Sequence, residues 1–132
     1  MIAADSNLVV RHLTHDDARQ AQLVERLFDD AERRQEPVLL SQIVLCEVCW
    51  VLKAVYGFDK PQITVALQAL LDDAGFQIQG RPLVEEALTL YRRHAGQFSD
   101  HLIGVVAHRE GASTTYTFDK GVGKLPHFTL LK

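Results

Sequence analysis

No apolar run in this chain is long enough to cross a bilayer. The longest candidate, Ile43 to Leu52, is interrupted by Glu47. The first residues lack a basic segment followed by an apolar one, so no secretory leader is expected. Cysteine is scarce: two residues cannot make a disulfide framework. They do spell C-x-x-C, as Cys46-Glu47-Val48-Cys49. A structural zinc site needs a second ligand pair, and a thioredoxin-type motif opens a helix, whereas this one lies within a helical pattern, so packing is the expected role. The six histidines show no H-x-x-x-H spacing and read as surface or packing residues. Gly121-Val122-Gly123-Lys124 lacks the first glycine and the trailing Ser or Thr of a P-loop. Positive charge is not in excess either. Lys and Arg number 14 against 17 Asp and Glu, a net charge of −3. That balance does not announce a nucleic-acid binder, and it does not exclude one, because local basic patches matter more than the sum.

What is present is an ordinary globular composition, 47% hydrophobic over 132 residues, without internal repeats or a linker long enough to divide it. One domain spanning residues 1–132 is expected, in a reducing, cytoplasmic setting. Met1-Ile2-Ala3-Ala4 reads as a short buried strand ending in the turn and cap formers Asp5-Ser6-Asn7. A short helix through Leu8–Val10 follows, then a second with Val24, Leu27, Phe28 and Ala31 on one face. Val38–Ser41 is a strand, and Ile43 to Tyr56 a helix that is apolar nearly all round. Lys60 to Ala74 is amphipathic and stops at Gly75. Phe76–Ile78 is a strand; Pro82 suits the start of the next helix, and Ser99 is the expected cap of the one after. Strands at 113–118 and 128–131 close the chain. Strands alternating with helices predict an α/β fold, a three-layer α/β/α sandwich around a central parallel sheet. In such sheets sites form beyond the carboxyl ends of the strands.

Four carboxylates fall at conspicuous places: Asp5, Glu47, Asp100 and Asp119. Asp5 and Asp119 each end an apolar strand. Glu47 is the only charged side chain between Val38 and Leu52, and it shares a helix stripe with Ile43, Val44, Trp50, Val51 and Ala54. Asp100 shares one with Ile103, Gly104 and Ala107, so both acids are expected to face inward. A buried carboxylate is costly unless it is paired, neutral or bound to a cation. Taken singly, three have a plain structural reading: Asp5 as a helix cap, Asp100 as a first-turn acid, Asp119 as a turn residue before Lys120-Gly121, whereas Glu47 has none. Together they suggest one acidic pocket able to hold a hard divalent cation through oxygen ligands.

Ile2-Ala3-Ala4-Asp5-Ser6-Asn7-Leu8-Val9-Val10-Arg11 resembles the opening strand and turn of PIN-domain nucleases, with Ser6 where Thr is commoner. Leu45-Cys46-Glu47-Val48, Phe98-Ser99-Asp100-His101-Leu102-Ile103 and Thr117-Phe118-Asp119-Lys120 resemble that family's second, third and fourth acidic motifs, in order and in approximate spacing. Size and the Val48–Phe58 segment are most similar to the toxins of VapBC-type toxin–antitoxin modules.

The resemblance implies a metal-dependent endoribonuclease. It would use Mg²⁺, with Mn²⁺ plausible, and leave a 5′-phosphate and a 3′-hydroxyl. Asp5 and Asp100 are the implied primary metal ligands, Asp119 completes the site directly or through water, and Glu47 orients the attacking water or accepts its proton. Ser6 and Asn7 support Asp5 and its turn. His101 is expected on a solvated face. Arg11, Lys120 and Lys124 stand near strand ends where RNA phosphates would need cations, although exposed Lys and Arg usually only solvate a surface. The implied partners are RNA, a cognate antitoxin and a second copy of the chain, with no membrane involved. Two other readings stand beside this one. A PIN-like RNA- or protein-binding module with little activity would have an incomplete acidic set. A phosphatase or 5′-nuclease acting on mononucleotides or branched DNA would need an arch or extra domain to thread DNA.

Overall fold

A computed structural model describes residues 1–132, which divide into two compact units, Met1–Gln79 and Gly80–Lys132. The first unit holds strands β1 (Ile2–Ala3), β2 (Val38–Leu40) and β3 (Phe76–Ile78), paired in that order and all parallel. Ile2 stands opposite Val38, and Val38 opposite Phe76, so β2 is the central strand. Helices α1 (Ser6–Thr14), α2 (Ala18–Arg33), α3 (Gln42–Ala54) and α4 (Lys60–Asp72) supply the connections that parallel strands require.

Local chemistry sets these boundaries. Asp5, Asp17, Ser41 and Asp59 each cap a helix start by accepting a backbone N–H with the side chain. Gly57 follows α3 at φ +68°, with open space where a Cβ would be, so backbone conformation rather than crowding calls for glycine there. The core of the unit gathers around Leu40, Val9, Leu45, Val48, Leu52 and Leu70, all essentially inaccessible.

The second unit holds helices α5 (Arg81–Arg93) and α6 (Phe98–Arg109), then strands β4 (Thr115–Thr117) and β5 (Phe128–Leu130). The two strands are parallel, with Thr115 opposite Phe128, joined through a 3₁₀ turn at Val122–Lys124. Val84, Ala87, Leu88 and Tyr91 of α5 are buried, as are Phe98, Leu102 and Val105 of α6. Tyr91 and Phe98 meet edge to face at 6.3 Å.

The expected α/β class with parallel strands is what the chain adopts. Two local expectations need correction. Helix α6 begins at Phe98 with Gln97 as its cap residue, so Ser99 lies inside the helix rather than capping it. His101 is not solvated: it is 1% exposed, and its Nε2 lies 2.8 Å from the Ala95 carbonyl. It continues the buried stripe of Phe98, Leu102 and Val105. No helix is long and apolar enough to cross a membrane.

Candidate active site

Asp5 follows β1, whose register is continued by the bond from Ala4 N–H to the Leu39 carbonyl at 3.2 Å. Its backbone is extended, and its Oδ1 accepts the N–H groups of Asn7 and Leu8 at 3.1 and 3.3 Å. The capping role is therefore real, but it occupies one oxygen only, and Oδ2 is left open. Glu47 is treated likewise: Oε2 accepts the Ser6 hydroxyl at 2.9 Å, and Oε1 has no partner. This bond spans 41 residues and ties the start of α1 to the middle of α3. Ser6 thus supports Glu47 rather than Asp5, while Asn7 holds Asp5 through its backbone N–H.

In the second unit, Asp100 lies in the first turn of α6, where its Oδ2 accepts the Gln97 N–H at 2.9 Å. Asp119 lies two residues beyond β4, and its Oδ1 accepts the Val122 N–H at 3.0 Å. The Asp119 carbonyl accepts from Gly123 at 2.9 Å, which folds residues 119–124 into a compact turn. A Cβ on Gly123 would stand 2.8 Å from the Leu130 Cβ and 3.2 Å from its backbone, so glycine there serves close packing of the turn on β5 and not a phosphate loop. Gly96, at φ +90°, allows the chain to pass beside Asp100, where a Cβ would meet the Leu125 side chain at 2.9 Å.

All four acids therefore share one design. A single oxygen is fixed by a hydrogen bond, and the other is free within its unit. The expectation that Glu47 would face inward does not hold, and that for Asp100 holds only in part. Asp5, Glu47 and Asp119 are exposed, and Asp100 is half-buried. Helix α3 buries Leu45, Val48, Cys49 and Leu52 instead, and leaves Ile43, Glu47, Trp50 and Ala54 facing outward. Ile103, the stripe neighbour of Asp100, is also exposed. The desolvation argument for these acids falls away. What each acid offers instead is one immobilised carboxylate with an open oxygen.

Carboxylate oxygen is the donor type that Mg²⁺ and Mn²⁺ prefer. Mg²⁺ keeps several waters and is usually bound through one or two carboxylates plus substrate phosphate, not an all-protein cage. The chain offers no ready-made cage of three or more His, Cys, Asp or Glu side chains. The Cys46/Cys49 pair is unsuited to metal: burial pushes the Cys49 thiol up to about 12 and raises Cys46 as well, so neither offers a thiolate.

Arg11, a candidate phosphate contact, is engaged internally. Its Nε donates to Gln20 at 2.7 Å, and one terminal nitrogen donates to Asp16 at 3.2 Å and to the Tyr56 hydroxyl at 3.0 Å. Tyr56 in turn donates to Asp16 at 2.5 Å. The Tyr56 bond, then Thr14 and Arg11, hold the Asp16 carboxyl below its ordinary range, against some opposition from desolvation. A folded-state pKa below the unfolded one means stability that is present above the unfolded value and lost as pH falls through the folded one. Tyr56→Phe should raise the Asp16 pKa toward the ordinary aspartate value in a carboxyl NMR titration; an unmoved titration would refute the network. Lys120 and Lys124 are exposed and remain available for phosphate.

With this geometry in view, the model of the PIN domain matches residues 2–127, and the chain belongs to the PIN-domain family. A VapC ribonuclease from Aquifex aeolicus (strain VF5) is 23% identical over 121 residues, covering 92% of this chain and 89% of that protein.

Proposed function

We propose that this chain is a metal-dependent endoribonuclease acting as the toxin of a toxin–antitoxin module, a single nuclease domain working in the cytoplasm. The observation that carries the chemistry is the shared design of Asp5, Glu47, Asp100 and Asp119, each fixed through one oxygen and open at the other. Membership of the PIN-domain family and similarity to a VapC ribonuclease support RNA as the substrate.

In this reading Asp5, Asp100 and Asp119 hold the Mg²⁺ or Mn²⁺ ion. Such an ion, when bound, offsets carboxylate charge against the phosphodiester and eases deprotonation of water. Glu47 orients the attacking water through Oε1 or accepts its proton. The Ser6 hydroxyl on Oε2 fixes the carboxylate plane, so that Glu47 does not have to be ordered when the substrate arrives. Asn7 keeps Asp5 in place through the N–H bond to Oδ1.

A cognate antitoxin and a second copy of the chain are the protein partners of this reading. Exposed apolar side chains in the first unit support it: Leu23 beside Leu8 and Leu27 along α1 and α2, and Val65 beside Phe58 and Pro61. Gel filtration should give a dimer at micromolar concentration; a lone monomer peak would contradict the homodimer.

Incubation of purified protein with total RNA tests the activity. Discrete fragments ending in 5′-phosphates are expected with Mg²⁺ or Mn²⁺, and none with EDTA. Cleavage indifferent to EDTA, or no cleavage with either metal, would overturn the metal nuclease.

A further inference from the structure

Of the six histidines, only His101 is buried, at 1% exposure. It shares its face of α6 with Phe98, Leu102 and Val105. An apolar side chain would cost less there, because a polar ring taken from water loses hydrogen bonds that the protein must replace. The imidazole Nε2 lies 2.8 Å from the Ala95 carbonyl. A carbonyl oxygen can only accept, so Nε2 carries the proton and donates.

Ala95 belongs to the four-residue connection 94–97 between α5 and α6, and all four residues are exposed. The connection therefore has no buried side chain of its own to hold it. Gly96 stands within it at φ +90°, and glycine is the residue with the greatest backbone freedom. The peptide on one side of Gly96 carries the Ala95 carbonyl. The peptide on the other side carries the Gln97 N–H, which donates to Asp100 Oδ2 at 2.9 Å. Two polar atoms of α6 thus bracket the glycine: a Cβ there would stand 3.4 Å from Asp100 Oδ2 and 3.6 Å from His101 Nε2. The bond from Gln97 orients the Asp100 carboxylate only as far as the Gln97 peptide is itself held. The imidazole supplies a fixed point from the core, one peptide away.

We propose that His101 is a positioning residue for Asp100. It pins the Ala95 carbonyl from within the core, which keeps the Gln97 N–H on Oδ2 and leaves Oδ1 in one orientation for the metal. This assignment rests on the reading of Asp100 as a metal ligand and deepens it. A residue that only filled the core would contribute volume; His101 contributes a hydrogen bond, and the two are separable.

His101→Leu keeps an apolar side chain of similar size and removes the donor. His101→Gln keeps an N–H that reaches about as far as Nε2. Mn²⁺ titrated by calorimetry should bind on the order of tenfold more weakly to His101→Leu, the lower end of what partners behind a metal ligand contribute, while its thermal melt stays close to wild type. His101→Gln should recover most of the affinity. Without metal, the Gln97 amide should exchange with solvent on the order of tenfold faster in His101→Leu than in wild type or His101→Gln.

Wild-type Mn²⁺ affinity in a folded His101→Leu protein overturns the positioning role, whatever the Gln97 exchange, and leaves the ribonuclease reading intact. Equal losses in both variants assign His101 to packing and overturn it as well. Wild-type protein that binds no Mn²⁺ removes the metal-site reading, and the role of His101 with it. If His101→Leu fails to fold, nitrogen NMR of the wild-type imidazole decides: a protonated, slowly exchanging Nε2 is expected, and a bare Nε2 overturns the bond to Ala95.

Discussion

Asp5→Asn and Asp100→Asn are each expected to lower metal-dependent RNA cleavage by more than about a hundredfold, since losing even an outer-shell partner of a metal ligand costs 10–100-fold. The substitution is informative because the structure separates two roles within one side chain. Asp5 uses Oδ1 to cap α1, and Asn caps helices about as well as Asp. Asp100 uses Oδ2 for the Gln97 N–H, a bond that an amide oxygen can also accept. Both variants should therefore fold normally while losing the negative charge and the open anionic oxygen. Steady-state cleavage beside a thermal melt would test this. Near wild-type cleavage in either variant would remove that residue from the metal site, whereas lost cleavage with a collapsed melting temperature would show a structural role.

The largest expected loss of stability falls at Phe98. Its side chain is 1% exposed, and it packs against Tyr91 where α5 meets α6. Truncation of a buried phenylalanine to alanine costs about 3–5 kcal/mol, from lost transfer energy and the cavity left behind. That is a large fraction of the about 5–15 kcal/mol typical of a whole domain. Phe98→Ala should shift the urea midpoint sharply, and Phe98→Leu, which refills much of the volume, should shift it less. Phe98 also opens the helix that carries Asp100 two residues later, so the Ala variant should lose activity in step with its folded fraction. A loss below about 1 kcal/mol would mean that the site collapses around the gap, contrary to the packing seen.

Much of this was readable in the sequence, and the misses share a cause. Strand and helix order followed from hydropathic periods punctuated by Gly75, Pro82 and the Asp and Ser caps, all of which act locally. The inward placement of Glu47 failed because Ile43–Tyr56 is apolar nearly all round. Periodicity shows that a helix has an apolar face, but not which of two such faces the core will take. The buried set Leu45, Val48, Cys49 and Leu52 won, and Ile43, Glu47 and Trp50 were left outside. His101 failed in the opposite sense: its spacing from Phe98 and Val105 marked a buried stripe, and its polarity was given more weight than its position. The bond from Ser6 to Glu47, and the engagement of Arg11 by Tyr56 and Gln20, join residues far apart in the chain and leave no local signature. The place of each acid on its element was legible, Asp5 and Asp119 just beyond parallel strands and Glu47 and Asp100 on helices, because such placement does not depend on which face is buried.

The central claim is that Asp5 and Asp100 are metal ligands. Calorimetric titration of Mn²⁺ into wild-type, Asp5→Asn and Asp100→Asn proteins tests it most directly. A site present in the wild type and severely weakened in both variants is the expected result. Wild-type affinity retained in either variant, with its fold intact, would contradict the assignment of that residue as a metal ligand.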